Sequence, residues 1–102
     1  MKRPAIRIVF APLQRYRDKK QKELGHTIYG MQQGRTIYID PRTSNPASTF
    51  MHERFHMDHP DWSEDQVVAA EEKWWKKAGW KEKAEVLQLL AHAEIINPKE
   101  VL

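Results

Sequence analysis

Two prolines frame the stretch that most constrains this chain. Asn45 is a good helix N-cap, and Pro46 suits the first helical position, where the missing N–H costs nothing. Pro60 stops the helix at its far end, because the residue before a proline avoids the α region. The reading is one helix from about Pro46 to His59, and inside it lies His52-Glu53-Arg54-Phe55-His56. On a helix, residues i and i+4 share a face and stand about 6 Å apart along the axis. Two imidazoles at that spacing can converge on one metal ion. The glutamate after the first of them then lies beside the metal, where it can act as general base on a bound water. The helical wheel places His52, His56 and His59 on one stripe, with Met51 and Phe55 on one flank and Phe50 and Met57 on the other. A histidine stripe between apolar flanks faces a cleft and needs hydrogen-bonding or metal partners. Arg54 and Asp58 sit opposite the stripe, spaced to pair at i, i+4.

Composition narrows the chemistry. A chain of 102 residues is expected to form a single domain, 1–102, with one core of modest size. There is no cysteine, so disulfides, thiolate metal sites and thiol catalysis are excluded, and any metal must be held by His, Asp or Glu. No apolar run approaches a membrane span, and no signal-peptide core follows the basic N-terminus, so the expected location is cytoplasmic with no membrane partner. The net charge of +3 is unevenly spread. Residues 1–24 hold eight basic residues against two acidic ones, leaving nine against twelve in the rest of the chain. A basic segment 1–24 on an acidic body is either a solvated surface or a contact for nucleic acid or another anionic partner.

Around the helix, the pattern alternates strands and helices. Residues 5–10 alternate Ile6, Ile8 and Phe10 with Arg7 and Val9, as a strand with one buried face does. Residues 13–24 are polar, with at most a short helix closed by Gly25. Residues 26–32 and 35–40 read as the arms of a β-hairpin turning at Gln33-Gly34. Downstream, Ser63 and Gln66 form a capping box for a second helix that runs to about Ala78, with Gly79 as C-cap. Its apolar face is Val67, Val68, Trp74, Trp75 and Ala78, and Glu64 and Glu71 fall in the middle of that face. A third helix over 81–95 offers Ala84, Leu87, Leu90, Ala91 and Ile95 to the core and ends at Asn97-Pro98. The four tryptophans, Trp62, Trp74, Trp75 and Trp80, are expected to serve core and rim packing. The predicted fold class is α+β, a small, mostly antiparallel three-stranded sheet followed by three helices.

Two histidines do not make a stable zinc site, and a third protein ligand is required. His59 lies about 10.5 Å along the axis from His52, too far to share its ion from a straight helix. Its expected role is at the helix end, beside the terminal carbonyls. Glu64 and Glu71 are the better candidates. A tight antiparallel helix pair sets Glu71 opposite His52, whereas a crossed pair brings Glu64 to the metal.

Residues 36–80 resemble the core of the minimal gluzincins, the thermolysin-like branch of zinc peptidases reduced to one small domain. The pieces that carry the resemblance are Thr36-Ile37-Tyr38-Ile39-Asp40, the His52–His56 motif, and Pro60-Asp61-Trp62-Ser63-Glu64. The resemblance implies a zincin-like fold, one zinc per chain held by His52, His56 and Glu64, and Glu53 as catalytic base in hydrolysis of a peptide or protein substrate. Thermolysin-like enzymes place an acidic or amide residue one turn after the third ligand to orient a metal-bound histidine. This chain has Val68 there, which leaves that role open to Glu71. Zincins often bind substrate as an added strand, and the 35–40 strand is the expected edge. Tyr38 and His92 are candidates for steadying the oxyanion. The alternative function is a non-catalytic zincin-fold binding module that contacts nucleic acid through the 1–24 segment.

Overall fold

The computed structural model describes residues 5–13 and 29–96. Among these the order is β1 (Arg7–Phe10), β2 (Gly30–Gln33), β3 (Thr36–Ile39), α1 (Pro46–Asp58), α2 (Glu64–Lys77), α3 (Trp80–Ala91) and β4 (Glu94–Ile95). The class is α+β with three helices among the described residues, but the sheet is neither three-stranded nor mostly antiparallel. Among the described residues it has four strands in the order β2-β3-β1-β4. There β2 and β3 pair antiparallel, while β1 runs parallel to both β3 and β4. A two-residue loop forces antiparallel neighbours, which makes the hairpin legible; nothing local in residues 5–10 selects the strand they join.

Gly79, expected to cap the end of the second helix, instead stands at the N-cap of the third, and Ala78 is the C-cap of the second; two further boundaries move. The hairpin turns at Gly34-Arg35 instead of Gln33-Gly34, since Gln33 pairs with Thr36 and Gly34 takes the positive φ of 57°. The third helix stops at Ala91 instead of reaching residue 95. Residues 94–95 turn back to pair with β1, Ile96 N–H donates to the Phe10 carbonyl at 3.3 Å, and Arg7 Nη2 donates to Glu94 Oε1 at 2.9 Å. The open edge of β1 gives that backbone its hydrogen-bond partners. The proposed short helix in 13–24, the first part of the hairpin arm at 26–28, and all the basic residues of 1–24 except Arg7 lie outside the described residues.

The core forms where one face of the sheet meets α1 and α3. Ile8, Ile37 and Ile39 pack with Ala47 and Phe50 of α1 and with Val86 and Leu90 of α3. Here α3 differs from expectation. Ala84, Leu87 and Ala91 are exposed, and Ile95 on β4 is exposed too. The helix carries two apolar stripes, one through Val86 and Leu90 and one through Trp80, Ala84, Leu87 and Ala91, and the first is the one that docks. Trp74 packs against the core, whereas Trp75 and Trp80 are exposed. No helix among the described residues is long and apolar enough to cross a membrane.

The loop before α1 is held by Asp40, whose side chain is fully buried. Its carboxylate accepts from the backbone N–H of Leu13 at 3.2 Å and of Arg42 at 3.0 Å, and from the Arg42 guanidinium at 2.6 Å. Burial alone raises a carboxyl pKa, but these donors outweigh it and hold Asp40 below its ordinary value. Asn45 caps α1 as expected, accepting from Ser48 N–H at 3.1 Å with Pro46 in the first turn.

Candidate metal centre

The site lies between α1 and α2. The capping box expected at Ser63 and Gln66 is present, and it fixes the start of α2 so that Glu64 is its first residue. From there the Glu64 carboxylate reaches both motif histidines: Oε1 lies 2.7 Å from His52 Nε2, and Oε2 lies 2.9 Å from His56 Nε2. One ligand atom from each of His52, His56 and Glu64 falls within 4.8 Å of the others, and this group could hold a metal ion. The donor set is two imidazoles and a carboxylate, a set that zinc accepts while keeping one position open.

Glu71 also reaches His52, on the other ring nitrogen. Its Oε2 lies 2.8 Å from Nδ1, and its Oε1 accepts from Ser48 Oγ at 2.6 Å. The two helix-pair geometries weighed from the sequence are thus both represented: Glu71 sits opposite His52, and Glu64 reaches in from the helix start. With a proton on Nδ1 for Glu71, Nε2 faces the Glu64 carboxylate at 2.7 Å, a contact that either a second proton on the ring or a metal ion between the two groups satisfies. Burial lowers the His52 pKa, but the Glu71 hydrogen bond and the charges of Glu53, Glu64 and Glu71 together raise it above its ordinary value. For Glu71, burial pushes the carboxyl up, and the hydrogen bonds from His52 and Ser48 more than reverse this.

Glu53 is buried on the sheet side of α1. Burial pushes its carboxyl up; nearby His52 opposes this, Glu64 and Glu71 add to it, and the outcome is about 7. His59 stands apart from the cluster. It caps α1, with its N–H donating to the Phe55 carbonyl at 2.9 Å as a helix-end residue should. Its ring does not reach the terminal carbonyls as expected; it stacks on Trp62 at 3.7 Å. Arg54 and Asp58 pair at 3.0 Å. Tyr38 lies on the sheet face opposite Ile37 and Ile39 by strand alternation, away from α1, and His92 caps the far helix α3. Neither of these two is among the residues gathered at the site.

Two contributing residues escape a motif-based reading. Ser48 lies one turn before His52 on the same stripe, a spacing that would have flagged it. Gly30 is a glycine inside a strand, which signals close backbone approach. A Cβ built there would stand 2.9 Å from Thr49 Cγ2, 3.0 Å from Glu53 Cγ and 3.1 Å from Glu53 Oε2. Thr49 cannot easily turn aside, because its hydroxyl is hydrogen-bonded to that of Thr43 at 2.8 Å. Gly30→Ala is therefore expected to force α1 from the sheet and cost about 1–3 kcal/mol, as overpacking does. Urea denaturation checks this, and an unchanged midpoint would mean that α1 has room to move.

The edge beside α1 is β2, not the 35–40 strand, since β3 is flanked on both sides by β2 and β1. No protein-family model matches the chain, and no curated protein or solved structure matches it.

Proposed function

We propose that the chain is a zinc-dependent metallopeptidase of minimal zincin-like fold, with His52, His56 and Glu64 as metal ligands and Glu53 as general base. The observation that carries the reading is the convergence of those three donors, within 4.8 Å of one another, next to a buried glutamate. When bound, zinc supplies a Lewis acid for the scissile carbonyl and lowers the pKa of a bound water towards about 7.

The chain's own residues do the rest. Glu71 holds His52 through Nδ1 and so presents Nε2 to the ion, and Ser48 keeps Glu71 in place; such outer partners fix the tautomer and the ring plane. Glu53 accepts the proton of the attacking water and returns it to the leaving amine. Its burial favours the protonated form and a cation alongside opposes that, which leaves the group able to gain and lose a proton near neutral pH. A peptide or protein substrate fits as an added strand along β2, whose outer edge is unpaired among the described residues and runs beside Glu53.

The test is hydrolysis of a peptide library by the purified chain. Cleavage is expected to stop on chelation and return with added zinc. Cleavage that continues after zinc has been stripped would overturn the reading.

A further inference from the structure

We infer that the corner where α2 runs into α3 is a docking surface for single-stranded nucleic acid, independent of the peptidase reading. Residues 73–83 carry five lysines against one glutamate, Glu82. Lys73, Lys76, Lys77 and Lys81 are exposed, and none of the five lysines forms an ion pair among the described residues. Trp80 stands among them with 82% of its surface exposed. An indole that open contributes nothing to the core, so packing gives no account of it. Lys83 is partly committed, its Nζ lying 4.2 Å over the Trp75 ring, which leaves Trp80 as the open aromatic face.

Exposed lysines flanking an open indole along the chain match a polymer of alternating phosphates and bases. The lysines meet the phosphates, and the ring takes a base, a contact that tolerates any sequence because every base has a π face. A duplex offers no unstacked base to that ring. A lipid surface suits a broader apolar face, and beyond Trp80 the same stripe of α3 offers Ala84, Leu87 and Ala91, with Leu87 its only other large side chain. The site is also distinct from the basic 1–24 segment.

The experiment is fluorescence anisotropy of a labelled oligo(dT) titrated with the full chain across a salt series. Trp80→Ala is expected to weaken binding roughly 5- to 150-fold, with Trp80→Phe retaining most of it. Neutralising Lys76 and Lys77 together is expected to reduce the slope of log K against log salt by about 1.4. The exposure of these residues makes misfolding of the variants a poor explanation for lost binding. The inference is overturned by any of four results: no binding at low salt, Trp80→Ala binding like the parent, equal displacement of the oligonucleotide by polyglutamate, or Trp80-dependent binding to phosphatidylserine vesicles with none to oligo(dT). Loss of binding on neutralising Arg15, Arg17, Lys19 and Lys20, with Trp80→Ala unaffected, also overturns it by assigning the contact to the 1–24 segment.

Discussion

Glu53→Gln is expected to cut peptide hydrolysis by about 10²- to 10⁴-fold, the usual worth of a positioned general base, while leaving bound zinc unchanged. Glu53 is buried on the sheet side of α1, whereas the three clustered donors belong to His52, His56 and Glu64, so its amide analogue removes no ligand. Gln is close to isosteric with Glu and is neutral, as the carboxyl is when protonated, so the fold should tolerate it. Zinc content and kcat/KM measured on the same preparation separate the two roles. Full activity in the variant would remove Glu53 from the chemistry, and loss of zinc would make it a ligand.

The second large effect distinguishes the two glutamates of α2. Glu64 faces the Nε2 atoms of both His52 and His56, whereas Glu71 faces only His52 Nδ1. Glu64→Ala leaves two imidazoles, which do not make a stable zinc site. Glu71→Ala leaves all three donors and removes only the group that orients one of them, a loss typically of about 10- to 100-fold in affinity. Competition with a zinc chelator should therefore rank the affinities as parent, then Glu71→Ala, then Glu64→Ala. If Glu71→Ala proved the weaker binder, the two roles would be exchanged.

Much of this site can be read directly from the chain because it is written in local rules. Asn45-Pro46 and Pro60 bound α1, and Ser63 with Gln66 starts α2 at Glu64. Helical periodicity then sets the face on which each donor sits. What escapes is set by partners distant in sequence. The parallel pairing of β1 with β3 depends on how the chain returns, not on residues 5–10, and β4 forms only because β1 has an open edge. The docked face of α3 is chosen by the shape of the core: its two apolar stripes look alike on a wheel, and Val86 with Leu90, not Ala84 with Leu87, fills the space beside Phe50. Gly30 belongs to the same class, since its importance lies in Thr49 and Glu53 across the interface. The exposure of Trp80 likewise follows from the docked stripe, and a tryptophan-rich composition alone points the other way.

The account rests on His52, His56 and Glu64 holding one ion, and elemental analysis of zinc per chain after gel filtration tests that most directly. It predicts about one zinc per chain in the parent and in Glu53→Gln, and essentially none in His52→Ala or His56→Ala, as expected when one of three protein ligands is lost. Zinc retained at the parent level in either histidine variant, or a parent that binds none when zinc is supplied, would contradict it.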